Sequence, residues 1–351
     1  MKPLRSRIAR SAILQLPLLM LLLLVAACAG HAQTPNSQDE DVIRVETDVT
    51  NLLFIATDKN NRYITTIEPN DVRVLEDGVP QKFITFERQT DRPLSVALLI
   101  DISASEERTL SDEKGAARTF IETILSSRKD EAAVIPFEDY AYLEQPLTSN
   151  VIAIYQALER VEVAFPSYLG SGRRLGGLPA GPGVPVPREG STAIWDAITA
   201  TSTQILGRTT DQKRRAIILL TDGQDTSSRL HLSEAIKRAV EADTVVYVIG
   251  IGDSRQGGVA HSPLNQIADA TGGRAFFPGR NGDLTTAFAE IGQELRSQYL
   301  IAYSSSNKNR DGSFRQMKIE FTNPELARQQ LKLRYRPGYF AKPLTKNSRG
   351  S

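Results

Sequence analysis

The stretch Leu98-Leu-Ile-Asp-Ile-Ser-Ala-Ser105 contains the most informative pattern in the chain. The apolar run Ser95-Val-Ala-Leu-Leu-Ile100 predicts a buried strand, and oxygen-bearing side chains follow at alternate positions: Asp101, Ser103 and Ser105. Residues two apart in an extended chain point to the same side, so one carboxylate and two hydroxyls converge past the strand. Such hard oxygen ligands suit Mg²⁺, Mn²⁺ or Ca²⁺. The alternative is that these residues cap a helix predicted over 106–127.

Two segments further along the chain carry matching side chains. Arg214-Arg-Ala-Ile-Ile-Leu-Leu-Thr-Asp-Gly223 predicts a second buried strand, which ends at Asp222 and is followed by a turn-forming glycine. Between the two strands, Gly190-Ser-Thr-Ala-Ile-Trp-Asp196 places Thr192 at the start of an apolar helix. Each segment therefore offers an oxygen ligand at the end of a predicted strand or at the beginning of a helix.

Taken in this order, the three segments resemble the metal-ion-dependent adhesion site (MIDAS) of von Willebrand factor type A domains. The resemblance covers roughly residues 94–296. It implies an α/β fold with a doubly wound, mostly parallel, Rossmann-like sheet, whose crevice lies at the carboxyl ends of the strands where the winding reverses. It also implies the metal shell, which comprises Asp101, Ser103, Ser105, Thr192 and Asp222.

The chemistry of that shell favours binding over turnover. Three hydroxyls are neutral and two carboxylates only balance a divalent cation, so the ion stays electrophilic and keeps a position for an outside ligand. In type A domains the expected sixth ligand is a Glu or Asp of a partner protein. We therefore predict Mg²⁺ (or Mn²⁺ or Ca²⁺) as cofactor and an unidentified protein offering Asp or Glu as partner. The alternative is a structural cell-envelope protein whose ion only stabilises the fold.

The first 32 residues are predicted to be an export signal. Basic residues precede an apolar stretch from Ile13 to about Ala27 that is too short for a comfortable spanning helix. Its end, Leu24-Val-Ala-Ala-Cys28, resembles a bacterial lipobox, and Cys28 is the only cysteine. Lipidation of Cys28 and simple secretion with cleavage after Ala32 remain the two alternatives. Both place the protein outside the cytoplasm, in the periplasm, in the cell envelope or secreted, with membrane contact only through a lipid anchor.

Both ends of the folded part carry short strands with period-two alternation. After a polar tether (33–41), residues 42–90 predict an N-terminal β segment, and 297–340 predict a C-terminal one. Strands at the C-terminal end cannot easily extend a parallel sheet, so we expect the two segments to pair in one small antiparallel β module. The pattern from Asp71 to Phe83 resembles the leading segment of exported type A domain proteins seen mostly in Acidobacteria, a group with no general assigned activity.

Between these ends, strands alternate with amphipathic helices, as expected of an α/β sheet. A Gly- and Pro-rich insert over residues 165–189 interrupts the alternation immediately before Thr192. We expect it to be mobile and to hang over the metal. A role in partner selection and a tolerated insertion without such a role are both open.

Composition and missing motifs exclude several function classes. The formal net charge is +1, so no general affinity for nucleic acid or anionic membranes is expected. The chain has three histidines, His31, His231 and His261, and no GxSxG pattern. Haloacid-dehalogenase chemistry needs an Asp where Ser103 stands. Asp196 and Asp225 are candidates either for support of the metal site or for helix capping. We therefore predict no enzymatic activity and no catalytic residues.

Overall fold

The computed structural model describes residues 49–88, 92–106, 108–125, 127–163, 173–175, 191–210, 212–221, 223–251, 259–278 and 283–343. The predicted signal with Cys28, the tether, residues 42–48, most of the insert and Asp222 lie outside these residues. Within them the strands are β1 (Val49–Thr57), β2 (Val72–Glu76), β3 (Val79–Gln81), β4 (Phe83–Arg88), β5 (Leu94–Asp101), β6 (Glu131–Phe137), β7 (Ala141–Leu143), β8 (Gln145–Thr148), β9 (Arg173–Leu175), β10 (Arg214–Thr221), β11 (Thr244–Gly250), β12 (Ala275–Phe276), β13 (Tyr299–Ser304), β14 (Phe314–Phe321), β15 (Lys332–Tyr335) and β16 (Gly338–Phe340). The α-helices are α1 (Leu110–Ile124), α2 (Val151–Arg160), α3 (Ile194–Ala200), α4 (Leu232–Glu241), α5 (His261–Thr271), α6 (Leu284–Arg296) and α7 (Pro324–Arg328).

The two apolar runs of the sequence form the centre of the largest sheet. Its strand order is β12-β11-β10-β5-β6-β7-β9, with β8 also paired to β6. Strands β6, β5, β10, β11 and β12 run parallel, and the antiparallel strands β7, β8 and β9 lie toward one edge. Every residue of β5 and β10 is buried, as expected where helices cover both faces of a parallel sheet. The predicted α/β fold class is confirmed.

Alternate residues of β5 enter two separate apolar cores. Leu98 and Ile100 pack on the face covered by α1, α2 and α6, where Phe120 and Phe288 are in ring contact at 5.0 Å between centroids. Ala97 and Leu99 pack on the opposite face, covered by α3, α4 and α5. This alternation fixes the direction of each side chain in the strand, and it determines where the residues after Ile100 point.

The remaining strands form a β-sandwich from both ends of the chain. One sheet has the order β15-β1-β13-β4 and the other β16-β14-β2-β3. In the first, Leu52 is opposite Ile301, and in the second, Val74 is opposite Ile319. All four side chains are buried in one core between the sheets. The predicted antiparallel module built from both chain ends is therefore confirmed, but as two packed sheets, because each sheet has one apolar face to bury.

Local turn chemistry explains the tightest connection in the sandwich. Asp77 and Gly78, between β2 and β3, have φ values of +48° and +82°. Positive φ at both central residues is the requirement of a type I′ hairpin turn, which Asp-Gly meets well. The sequence cue Glu76-Asp-Gly78 thus directs a hairpin in which Glu76 is opposite Val79.

Buried ionic groups join the sandwich to the α/β sheet. Arg336 donates to the carboxylate of Asp243 at 2.7 Å, and also to the carbonyl oxygens of Val240 (3.2 Å) and Asn51 (2.6 Å). Arg334 forms an ion pair at 2.7 Å with Glu294 of α6, which is buried. These contacts link strand β1 and the C-terminal strands to helices of the α/β sheet.

Some predicted boundaries differ from the structure. The first long helix begins at Leu110, because residues Ala104–Glu106 form a 3₁₀ turn. Residues 173–175 of the Gly- and Pro-rich insert form β9, which extends the sheet by pairing with β7. Within the described ranges, no helix has both the length and the apolar character needed to cross a bilayer.

Candidate metal centre

Asp101 is the last residue of β5, and its carboxylate is fixed by two described groups. One oxygen, Oδ1, accepts the backbone N–H of Ser103 at 3.0 Å. The other, Oδ2, accepts the hydroxyl of Thr221, the last residue of β10, at 2.6 Å. Asp101 is fully buried and Ser103 is 3% exposed. The ends of the two central strands are therefore joined through the Asp101 carboxylate.

The turn after β10 depends on a glycine. Gly223 donates its N–H to the Thr221 hydroxyl at 3.0 Å and has φ of +82°. A side chain is disfavoured there, both by this conformation and because a Cβ would lie 2.5 Å from the Leu264 side chain. The Thr-Asp-Gly pattern thus sets the geometry of the chain on either side of Asp222.

The loop that follows Gly223 holds Thr192 in place. The N–H of Thr192 donates to the hydroxyl of Thr226 at 2.9 Å. Its carbonyl oxygen accepts the N–H groups of Thr226 and Ser227 at 2.9 and 3.1 Å. Thr192 is 4% exposed, and within the described part of the chain its own hydroxyl makes no hydrogen bond. The backbone of Thr192 is satisfied, while the hydroxyl retains its capacity to bind a ligand.

The start of α3, directly after Thr192, is capped by side chains from the same loop. The carboxylate of Asp225 accepts the N–H of Ile194 at 2.8 Å, and the hydroxyl of Ser228 accepts the N–H of Trp195 at 3.0 Å. Burial raises the pKa of Asp225, while hydrogen bonds donated to its carboxylate by the Ser228 hydroxyl and the Ile194 N–H oppose the rise. Helix capping was one of the two roles predicted for Asp225, and Asp225 does cap a helix. The capped helix is α3, which precedes Asp225 in sequence, and not α4, which follows it.

Asp196 plays a related role. Its carboxylate accepts the N–H groups of Leu230 at 3.0 Å and of Arg229 at 3.2 Å. It therefore holds the chain segment that leads into α4. Its described hydrogen bonds are to this segment and not to the group around Asp101.

The end of β6 completes the arrangement. Ile102 donates its N–H to the carbonyl of Phe137 at 2.9 Å, and Ala193 donates to the carbonyl of Glu138 at 2.7 Å. Four chain segments therefore meet at one edge of the sheet: those that follow β5, β6 and β10, and the one that precedes α3. This is the carboxyl edge of the parallel strands, where ligands bind in open α/β sheets.

The predicted ligands are thus described to different extents. Asp101, Ser103 and Thr192 occupy the carboxyl edge, as detailed above. Ser105 lies in the 3₁₀ turn Ala104–Glu106, and its side chain is not among the described ones. Asp222 lies outside the described residues, between Thr221 and Gly223, which both are described.

The described donors fit a hard divalent cation. A fully buried carboxylate is costly without compensating charge or hydrogen bonds, and a cation would stabilise it further. The neighbouring donors are hydroxyls, which Mg²⁺ accepts as ligands alongside its waters. Within the described residues, no three His, Cys, Asp or Glu side chains form a metal-binding group.

Two polar groups near this edge have roles that sequence reasoning missed. Thr221 belongs to the Thr-Asp-Gly pattern, but nothing in that pattern indicates that its hydroxyl binds Asp101. Glu113 lies fully buried in α1, and burial raises its pKa to about 7. The side chains of Thr109 and Glu106 oppose this rise and the charge of Asp101 adds to it. Its position, three residues after Leu110 on the apolar face of α1, was a visible signal.

Comparison with known protein families assigns the α/β part. A family model of the von Willebrand factor type A domain matches residues 184–290, and a second model with the same description matches residues 96–224. The chain is a von Willebrand factor type A domain protein. The resemblance drawn from the three sequence segments is therefore confirmed for the domain family. The metal ligands and the Acidobacteria grouping stay predictions.

Solved structures similar to this type A domain protein are distant in sequence. The conserved hypothetical protein BatB from Bacteroides thetaiotaomicron is 20% identical, with a TM-score of 0.44, and the match covers 57% of this chain and 97% of that one. Proximal thread matrix protein 1 from the mussel byssus, solved with a zinc-occupied MIDAS motif, is 18% identical, with a TM-score of 0.46 and coverage of 63% and 50%. A von Willebrand factor type A protein from Catenulispora acidiphila is 14% identical, with a TM-score of 0.44 and coverage of 86% and 75%. No curated protein matches the chain.

Proposed function

We propose that the protein is an exported protein-binding module that captures an acidic side chain of a partner through a divalent cation. The residues proposed to hold the cation are Asp101, Ser103, Ser105, Thr192 and Asp222. The observation that carries the proposal is the meeting of Asp101, Ser103 and the Thr192 loop at the carboxyl edge of the sheet, with the Thr192 hydroxyl left without a described hydrogen bond.

Each described ligand is oriented by a separate contact. Thr221 and the Ser103 N–H orient the Asp101 carboxylate, and the loop from Gly223 to Ser228 orients Thr192 and α3. Supporting hydrogen bonds of this kind commonly position metal ligands and tune their affinity. When bound, the cation supplies a coordination position for an outside carboxylate. The two carboxylates of the proposed shell balance the 2+ charge of the cation without an excess of negative charge. A further carboxylate from a partner can therefore still bind.

Metal binding is tested by calorimetric titration with Mg²⁺. Wild type is expected to give a saturable heat that Asp222→Ala abolishes, because the variant removes one of two charged ligands. Asp269→Asn, an exposed carboxylate on α5, is the matched control and keeps the wild-type heat. Equal heats in wild type and Asp222→Ala, with both variants folded by circular dichroism, would remove Asp222 from the site.

Partner capture is tested by pull-down from an envelope extract with and without chelator. Partners that are lost both on chelation and in Asp101→Ala support the proposal. Partners unchanged by chelation favour the alternative, a structural envelope protein in which the ion only stabilises loops. An enzyme would instead show metal-dependent turnover on a substrate panel, abolished by Asp101→Ala.

Export and anchoring are tested separately. We propose lipidation at Cys28. Wild-type protein should therefore be found in the membrane fraction, and the Cys28→Ser variant in the soluble fraction. Equal membrane association in both would indicate that Cys28 does not anchor the protein.

A further inference from the structure

A groove lies beside the candidate metal centre, between α3 and two loops. Its volume is about 240 Å³, and its lining includes Asp139 and Tyr140 after β6, Asp196 and Thr199 of α3, and Arg229 and Leu230 before α4. We call it the α3 groove. The N–H of Ala193 donates to the carbonyl of Glu138, and this hydrogen bond joins two walls of the groove. Ala193 is next to Thr192 in sequence, and Glu138 is next to Asp139. A segment bound at the metal centre would therefore reach the groove directly.

The size of the α3 groove limits what it can hold. Pockets for small molecules and cofactors usually measure about 300–1,000 Å³. At about 240 Å³ the groove falls below that range. It is better suited to a single side chain of a docked segment than to a separate ligand.

The charges that line the groove favour a cation. Asp139 is half-buried and makes no hydrogen bond or ion pair with any described residue. The Asp196 carboxylate accepts two backbone N–H groups, and neither donor brings a balancing charge. Arg229 is the single cationic residue of the lining. Two carboxylates and one guanidinium leave a net charge of −1.

Arg229 is held to one side of the groove. Its guanidinium lies 5.7 Å from the centroid of the Tyr140 ring and donates to the Tyr140 hydroxyl at 3.2 Å. Among the described residues it forms no ion pair with Asp139 or Asp196. The charge of Asp139 is therefore not neutralised from within the described part of the molecule.

A buried hydroxyl adds an acceptor. The Thr199 hydroxyl oxygen is buried and has no hydrogen-bond partner among the described residues, and it becomes available to an occupant of the groove when the side chain rotates about χ1. A lysine ammonium carries three donors, and a carboxylate and a hydroxyl are the acceptors that it requires. Asp139 and Thr199 are acceptors of these two kinds in the lining of one groove.

We propose that the α3 groove binds a basic side chain of the same partner segment whose acidic side chain reaches the metal. This inference rests on the proposed function, because it makes the groove the second half of one recognition surface. An acidic residue alone is common on protein surfaces, so pairing it with a basic residue at a fixed distance gives specificity. Lysine is the occupant that we expect.

The groove can be tested without the metal or a natural partner. In a chelator-containing buffer, ¹⁵N-labelled protein is titrated by NMR with N-acetyl-lysine methylamide and with its uncharged analogue N-acetyl-norleucine methylamide. The lysine probe is expected to shift the amide signals of Tyr140, Thr199 and Leu230 saturably, with affinity about threefold to fivefold above that of the norleucine probe. Asp139→Asn should remove this difference, and Asp269→Asn should keep it.

Two results would overturn the proposal. One is equal binding of the lysine and norleucine probes to wild type. The other is a lysine preference that persists in Asp139→Asn. A smaller preference in Thr199→Val would support a part played by the Thr199 hydroxyl. Both variants replace a side chain with one of similar size, and circular dichroism verifies that they are folded.

A second experiment separates this proposal from the proposed function. Short peptides with one Glu, and with Lys or norleucine two to four residues away, are titrated with and without Mg²⁺. Binding of all the peptides that Mg²⁺ tightens, together with a preference for the Lys peptide that needs Asp139, supports both proposals. Mg²⁺-dependent binding with equal affinity for the Lys and norleucine peptides contradicts the groove proposal and leaves the proposed function standing. A lysine preference in peptides whose affinity is the same with and without Mg²⁺ supports the groove and contradicts metal capture.

Discussion

Ionisation of Glu113 should oppose folding, and the effect can be measured. Glu113 is fully buried in α1, and burial raises its pKa from an ordinary 4.5 to about 7. Between these pH values the folded state retains a proton that the unfolded chain has lost. The free energy of unfolding therefore falls as the pH rises from about 4.5 to about 7. At 1.36 kcal/mol for each pKa unit, the interval corresponds to about 3 kcal/mol.

The informative substitution is Glu113→Gln, which preserves shape and removes the titration. We expect the variant to be more stable than wild type by about 2–3 kcal/mol at pH 8, and by much less at pH 5, where wild type keeps its proton. Urea unfolding followed by circular dichroism at pH 5, 6, 7 and 8 measures this difference. A chelator keeps cations away from Asp101, whose charge contributes to the raised pKa.

Asp269→Asn is the control, because Asp269 is an exposed carboxylate on α5 and does not contribute to the raised pKa of Glu113. It should change stability by less than about 1 kcal/mol, through its interaction with the helix dipole, and by a similar amount at each pH. Parallel pH profiles for wild type and Glu113→Gln would refute the reasoning. They would indicate that the Glu113 carboxyl ionises as readily in the folded protein as in the unfolded chain.

Three further substitutions test described hydrogen bonds. Thr221→Val removes the hydroxyl that binds Asp101 and should lower the free energy of unfolding by about 1–3 kcal/mol and weaken Mg²⁺ binding in calorimetry, whereas Thr221→Ser should retain both. Asp225→Ala removes a cap from α3 and should cost about 1–2 kcal/mol in urea unfolding; an unchanged midpoint would contradict the capping role. Tyr303→Phe removes the hydroxyl that donates to the buried carboxylate of Glu76 at 2.9 Å. We expect the free energy of unfolding, measured by thermal unfolding, to fall by about 1–3 kcal/mol. Tyr63→Phe, which changes a half-buried tyrosine, is the comparison.

Much of the fold was predictable because burial leaves a periodic record in the sequence. Apolar runs located β5 and β10, and period-two alternation located the strands of both chain ends. Alternation tells which side chains share a face, but not which strands share a sheet. One antiparallel module was therefore predicted where the structure has two packed sheets.

The candidate site was predictable only where residue type is tied to a strand end. Asp101 and Ser103 lie at the end of β5, as their spacing indicates. The roles of Thr221 and Thr226 depend on which chain segments meet in space, and the sequence contains no signal for that. Glu113 lies on the apolar face of α1, but a carboxylate carries no hydrophobic signal, so the apolar pattern of the helix did not include it.

The sandwich has a consequence for how the protein is made. Its first sheet places β1 beside β13, so residues near position 50 have no partner until residues beyond 300 leave the ribosome. The α/β domain lies between them in sequence and can fold first, while β1 to β4 wait with apolar side chains uncovered. A nascent chain therefore exposes strand edges during most of its translation, when such edges are prone to aggregate. Strands β1 and β4 therefore stay without their shared sheet partner β13 until the C-terminal part of the chain has been made.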